Sequence, residues 1–250
     1  MMTGVAAGDA VTRARHLPQL RIGLHLVLVD ELPVLPQECI PDLIDGTGRF
    51  RSHMALSGLK LALSRRARNQ AAAEIRAQFD AFRATGLALD HVNAHKHFHV
   101  HPVIAGMALR IGREFGVRAL RAPLEPASVL NQIEPGSRRG RDWLLNLFAR
   151  RLLLRARQAG LFTPDAVFGI RWSGAMTKQR LLRLIQMLHG ATTEIYLHTG
   201  TSGGFPGSVA GYRYADELAA LTDSAVIAAA KADAIRLGGF SDFVPSALCT

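Results

Sequence analysis

Two rhythms of apolar and polar positions divide the chain. Unbroken runs of apolar, β-branched residues mark buried parallel strands, while apolar residues three or four apart mark helices packed on them. The clearest strand is Arg21 to Val29, where Ile22-Gly23-Leu24-His25-Leu26-Val27-Leu28-Val29 is apolar except for one histidine. A second is led in by Leu87-Ala88-Leu89, a third lies around Val117-Arg118-Ala119-Leu120-Arg121, and others span Asp165–Ile170 and Thr193–His198. Helical spacing covers Val5–His16, Ala55–Thr85 in two pieces stopped at Gly86, 103–115 behind Pro102, Arg141–Gly160, Thr177–Leu188, and Tyr214 to about Ala232, before a short Leu237–Phe240 segment. Strands alternate with helices, which predicts a mostly parallel sheet with right-handed crossovers in one domain, 1–250. Residues 30–50, with Pro33, Pro36, Pro41, Gly46 and Gly48, are too long for a plain connector and form a candidate substrate loop.

The densest chemistry lies between Asp90 and Pro102, which hold five of the ten histidines, at 91, 95, 97, 99 and 101. A spacing of two places the last four on one face of an extended strand. A rise of about 3.3 Å per residue lets only one or two near the strand end reach a common ion. The run sits at a strand-to-helix junction, where α/β enzymes keep their chemistry. His25, inside a buried strand, needs a partner, because an unsatisfied buried ring is costly. His198 ends the 193–198 strand. His25, His95 and His198 thus belong to three strand–helix units and would meet at the C-terminal face of a barrel. Neutral imidazoles suit zinc, whereas magnesium prefers oxygen ligands, and two imidazoles leave a divalent ion open to water. No acidic residue stands in a comparable strand-end position on this reading.

Composition narrows the partners. A net charge of +10 raises nucleic acid first. Aromatics are only 6% and do not interleave with the basic residues, so nucleic-acid binding is not expected, and an anionic membrane surface or acidic substrate fits as well. The Arg141–Gly160 helix carries an apolar face (Trp143, Leu144, Leu147, Phe148, Leu152, Leu154). The favoured reading is a core-packed helix with snorkelling arginines, with peripheral membrane contact as the alternative. A mean hydropathy of +0.12 argues against disorder. Cys39 and Cys249 form no disulfide or metal pattern, and no secretory leader opens the chain, so a cytoplasmic location is expected, with possible residence at the inner membrane surface. The glycine-rich loop Gly200–Gly211 lacks a Walker lysine, so nucleotide binding is not indicated.

Four segments together carry a family resemblance: Gly23-Leu24-His25-Leu26-Val27-Leu28, Asn93-Ala94-His95-Lys96-His97-Phe98-His99, Leu120-Arg121-Ala122-Pro123 and Glu194-Ile195-Tyr196-Leu197-His198. They resemble the YdjC/ChbG-type carbohydrate deacetylases, within them the hopanoid-biosynthesis-associated deacetylases, over nearly the whole chain. The resemblance implies a distorted (β/α) TIM-like barrel related to the polysaccharide deacetylases. It also implies hydrolysis of an N-acetyl group from an amino sugar, dependent on one divalent metal ion (Mg or Zn), with an N-acetylglucosaminyl hopanoid glycolipid as candidate substrate. His25 and His95 match the family's metal-binding histidines, and His198 the histidine that protonates the leaving amine. His97, His99 and Arg121 are the expected substrate contacts, and a homodimer is a possible assembly.

The chain departs from that pattern in two places. Asn93 stands where the family often has aspartate. Family members open with a strand ending in Asp-Asp-Phe-Gly, which is not found here, so a barrel lacking its first strand–helix unit, poorly stable and inactive as a deacetylase, is expected. Activity of this chain would need another carboxylate, such as Asp90, Glu125 or Asp165. The other reading is a catalytically inactive, basic binding paralogue of the same fold.

Overall fold

The computed structural model describes residues 1–135, 142–188, 190–205, 207–232 and 234–245. Arg141 and Cys249, named above, lie outside the described residues. The chain packs as two compact units, one built from Met1–Arg121, 150–163 and the residues from Gly239 on, the other from Ala122–Ala149 and Pro164–Gly238.

In the first unit, strand β1 (Ile22–Leu26) pairs in parallel with β2 (Leu89–Ala94), setting Leu24 opposite Val92, His25 opposite Asn93 and Leu26 opposite Ala94. Val92 forms a parallel bridge to Leu120, and Ala119 another to Phe162. The apolar residues at these positions, Leu24, Leu26, Val92, Ala119 and Leu120, are buried, as continuous apolar strand sequence requires. Helices α1 (Ala7–Arg15), α2 (Met54–Leu63), α3 (Arg65–Ala84) and α4 (Pro102–Glu114) belong to this unit. Ser64 caps α3 by accepting the Ala67 N–H, and Pro102 opens α4, where its missing donor costs nothing.

One face of α3 is apolar and buried (Ala67, Ala71, Ile75, Phe79, Phe82), yet Gln70, Glu74 and Gln78 are buried too. Spaced by four, these three share a side of the helix, and each satisfies backbone outside it. Gln70 accepts the Asp42 N–H at 2.9 Å, and Glu74 those of Val34 (2.8 Å) and Leu35 (2.9 Å). Gln78 accepts from Val27 N at 2.9 Å and donates to its carbonyl at 2.6 Å. The 30–50 loop is therefore fastened to α3 by a polar stripe. It walls a cleft of about 550 Å³ with the start of α2, floored by Leu28, Leu43 and Leu61 and edged by Asp42, Arg51 and His53.

The second unit holds α5 (Ala127–Ile133), the start of α6 (Asp142–Gln158), β3 (Ala166–Phe168), α7 (Lys178–Gln186), β4 (Thr193–Ile195), α8 (Tyr214–Leu221) and α9 (Ser224–Ala230). β3 and β4 pair in parallel, and Phe168, Trp172, Met176, Leu181, Leu184 and Val226 form its core.

Four expectations need correction. Among the described residues the strand pairs and isolated bridges do not close into a barrel; what is seen is an α/β fold with few, short parallel strands. The histidine run is not extended, because β2 stops at Ala94 and His95–Val100 turns as a 3-10 helix with Lys96 (φ 49°) and His97 (φ 55°) left-handed. The 214–232 helix breaks at Asp223, whose carboxylate accepts the Ala225 N–H and starts α9. The core-packed reading holds for only part of α6: Ala149, Leu152, Leu153 and Ala156 are buried, but Trp143 is 68%, Leu154 52%, and Leu144 and Leu147 each 43% exposed. No described helix is long and apolar enough to cross a membrane.

Replacing Glu74 by leucine should strand the Val34 and Leu35 N–H groups and lower stability by about 2 kcal/mol or more. Urea unfolding and hydrogen exchange at those two amides measure this; an unchanged midpoint with protected amides would mean the loop is held by something else.

Candidate functional site

The parallel register sets His25 against Asn93, and the contact is close: His25 Nδ1 lies 2.6 Å from Asn93 Oδ1. From there hydrogen bonds continue along β2. Asn93 Nδ2 lies 3.2 Å from His91 Nε2, and His91 Nδ1 lies 2.9 Å from Asp90 Oδ2. Direction follows from the chemistry of the end group. An ionised carboxylate only accepts, so His91 Nδ1 donates to Asp90 and His91 Nε2 accepts from the Asn93 amide. Asn93 Oδ1 then faces His25 and accepts the hydrogen bond from its Nδ1–H. This leaves the His25 Nε2 lone pair free, the form in which imidazole binds a metal.

Asp90 is itself anchored. It accepts from Phe240 N (3.1 Å), Ser241 N (2.9 Å) and Ser241 Oγ (2.6 Å). Burial pushes its carboxyl up, but the bonds from His91, Ser241 and Phe240 outweigh it and hold the group well below the usual carboxylate range. The His91 ring stacks on Phe240 at 4.0 Å. Its other side leaves no room for a β-carbon at position 23, where one would stand 2.5 Å from the ring, so Gly23 is needed for β1 to pass. For His25, burial lowers the pKa to about 3 despite the bond to Asn93, and the nearby positive charge of Arg121 acts in the same direction.

His95 begins the turn after β2, its ring edge-on to His25 with centroids 5.7 Å apart. Burial lowers its pKa too, against the opposing pull of Asp30. Sequence reasoning missed Asp30. Its Oδ2 lies 3.5 Å from His95 Nε2 and 2.6 Å from Lys96 Nζ. The signal was available: Asp30 is the first polar residue after the apolar run that carries His25. Backbone geometry marks the same place. Asp30 (φ 64°), Lys96 and His97 are the non-glycine residues with positive φ among those described. Asp30 also centres a γ-turn, with Glu31 N–H bonded to the Val29 carbonyl at 2.8 Å, a strained form when φ is positive. Arg49 clamps that turn, donating to the Asp30 carbonyl (2.9 Å) and to Glu31 (2.8 Å).

The remaining predicted residues separate. His97 is half-buried within the turn. His99 is fully buried and bonded through Nε2 to the Arg121 carbonyl at 2.6 Å, a packing role that leaves it no surface for substrate. Arg121 is also buried. His198 belongs to the second unit, three residues past β4, with its N–H on Glu217 at 2.5 Å and its ring edge-on to Tyr212 and Tyr196. All three alternative carboxylates are engaged in hydrogen bonds. Asp90 ends the hydrogen-bond chain. Glu125 collects the N–H groups of Gly169, Ile170 and Arg171, with burial raising its pKa to about 6 over those bonds. Asp165 holds Thr192. Among the described residues no three His, Cys, Asp or Glu side chains already stand in ligating geometry. Two neutral imidazoles beside a carboxylate are nevertheless a donor set that suits a divalent ion.

Comparison with known proteins gives this geometry a family. The model of the YdjC-like proteins matches residues 1–232. A carbohydrate deacetylase of Brevibacillus brevis is 38% identical over 111 residues, 43% of this chain and 40% of that protein. One from Oceanobacillus iheyensis is 31% identical over 120 residues, 47% of this chain and 48% of its own, so the chain matches less than half the length of either relative. A carbohydrate deacetylase of Geobacillus stearothermophilus is 25% identical over 242 residues, covering 95% and 82%. A crystal structure of a candidate cellobiose-phosphate cleavage protein from Enterococcus faecalis superimposes with a TM-score of 0.74 at 22% identity, over 98% of this chain and 86% of that one, a likeness of fold alone. The chain belongs to the YdjC-like family.

Because folding holds the His25 ring neutral, its contribution to stability should be complete above the free-imidazole pKa of about 6.5 and be lost as the pH falls toward its folded value. Histidine NMR titration should find His25 as the Nδ1–H tautomer with a midpoint near 3. A midpoint near 6 would break the hydrogen-bond chain as drawn.

Proposed function

We propose that this YdjC-like protein is a metal-dependent amidohydrolase that removes the acetyl group from an N-acetylated amino sugar. The observation that carries the reading is the His25–His95 pair: two neutral rings 5.7 Å apart, one with its tautomer fixed so that Nε2 is free. His25 and His95 would hold the ion, and nitrogen donors favour zinc over magnesium. Bound there, a divalent ion supplies Lewis acidity toward an amide carbonyl and toward water. The chain's own residues do the rest. Asn93, His91 and Asp90 keep the His25 ring in one orientation. His198 is the proposed proton donor to the departing amine, so that the C–N bond breaks to give acetate and the free amino sugar. The names of the relatives support the substrate class.

The hopanoid glycolipid is the finer form of this proposal, and α6 supports it. Trp143, Leu147 and Leu154, spaced by four and seven, make one exposed ridge, and Arg150, Arg151, Arg155 and Arg157 flank it. An apolar ridge with an aromatic residue and cationic flanks suits the headgroup boundary of an anionic bilayer, where a lipid-linked sugar would be presented.

His25→Ala and His95→Ala should each weaken metal binding at least about tenfold, whereas His198→Ala should keep the metal and lose about 10²–10⁴ in turnover of an N-acetylated amino sugar. Unchanged metal content in both of the first two variants, by elemental analysis, would sink the metal site. Equal turnover in the third would sink the role of His198. The chain should also float with liposomes containing anionic lipid at low salt, and Leu147→Ser with Leu154→Ser should abolish this. Flotation that ignores both changes would remove α6 as the docking face.

A further inference from the structure

We propose that Asp30 is the third, carboxylate donor of the His25–His95 cation site, and that Lys96 is a built-in competitor for the ion. The proposal rests on the metal-site reading above and extends it to two residues that are not among the site residues expected from the sequence.

The geometry argues first. Asp30 Oδ2 and His95 Nε2 are 3.5 Å apart, long for a hydrogen bond. Two donors each about 2.1 Å from one tetrahedral ion stand about 3.4 Å apart. The pair is thus spaced as neighbours on a shared cation. The Lys96 ammonium, 2.6 Å from the same oxygen, supplies the positive charge that the half-buried carboxylate needs beside the His95 ring. Its side chain is 49% exposed, so it can withdraw into solvent when a doubly charged ion arrives.

The backbone argues independently. Three described non-glycine residues adopt positive φ, and two of them, Asp30 and Lys96, are the members of this ion pair. Strained backbone of this kind persists where the surroundings over-determine it, and it clusters at functional sites. An ordinary surface ion pair between a loop and a turn needs no strain on either side. Here the γ-turn at Asp30 turns its carboxylate toward His95, the left-handed turn at Lys96 brings the ammonium onto that carboxylate, and Arg49 locks the first of them. The donor set that results is two imidazoles and one carboxylate, with a position left open for an exchangeable ligand.

The test uses the full chain, Zn²⁺ as probe with a chromogenic chelator as competitor, and the visible spectrum of Co²⁺ as a report on coordination. Asp30→Asn keeps size and hydrogen bonding but lowers donor strength, and should weaken Zn²⁺ binding about ten- to a hundredfold and change the Co²⁺ bands. Lys96→Met should tighten Zn²⁺ binding severalfold, an outcome a merely structural salt bridge would not produce. Thermal melts of both variants check folding. Wild-type affinity in Asp30→Asn, or weakened affinity in Lys96→Met with an intact fold, would overturn the proposal while leaving His25 and His95 as ligands. Should His25→Ala and His95→Ala also bind Zn²⁺ as tightly as the wild type, or should the wild type itself not bind it, the metal-site reading falls and this proposal with it.

Discussion

The hydrogen bonds from Asp90 through His91 and Asn93 to His25 are the constraint on which the site depends. Each neutral link is worth about 1 kcal/mol, and the charged end more, but their larger effect is to remove freedom. Once Asp90 is fixed as an acceptor, every proton in the chain is placed, and reversing any one leaves a buried polar atom unsatisfied. The β1–β2 register brings His25 opposite Asn93, Gly23 lets the strand pass the His91 ring, and Phe240 and Ser241 hold Asp90. A slip of one residue in the strand pairing would turn His25 to the opposite face.

This chain of hydrogen bonds also gives a physical role to Asn93, where the family resemblance leads one to expect aspartate. An aspartate at position 93 would accept from His25 but could not donate to His91 Nε2, and it would set a second carboxylate close to Asp90. Asparagine accepts on one side and donates on the other, so it transmits orientation between two rings. The negative charge sits three residues back, at Asp90, where backbone N–H groups and a hydroxyl share it. Asn93 and Asp90 thus act as the two halves of one hydrogen-bonded arrangement.

Much of this was legible in the sequence. Apolar runs located β1, β2, β3 and β4 to within a few residues, and the isolation of a histidine in an apolar strand picked out His25. The alternation of histidines misled, because period two was taken as proof of extended backbone. His95–Val100 instead curls into a 3-10 turn, and His99 is spent on packing against the Arg121 carbonyl. Asp30 was passed over because it opens the loop that follows the apolar run, four residues beyond the end of β1. The polar stripe of α3 has helical spacing but no apolar signature, so nothing in the pattern shows that Gln70, Glu74 and Gln78 face inward to serve backbone elsewhere. On α6 the period was read correctly and the direction of the face only in part. Hydrophobic spacing says that residues share a side, not whether protein lies against it.

The charge balance at the site completes the argument. The chain carries a net +10, and Arg121 acts on His25 from nearby, so protonating that ring would add charge where burial already disfavours it. Burial likewise keeps His95 neutral even with Asp30 at hand. The two rings therefore offer lone pairs at neutral pH but no protons. A site of that kind can attract a cation and orient what binds to it, yet it cannot itself protonate a leaving group. An amide hydrolase built on it must keep its acid elsewhere in the chain, and the residue that supplies the acid has to be protonated under conditions in which His25 and His95 are not.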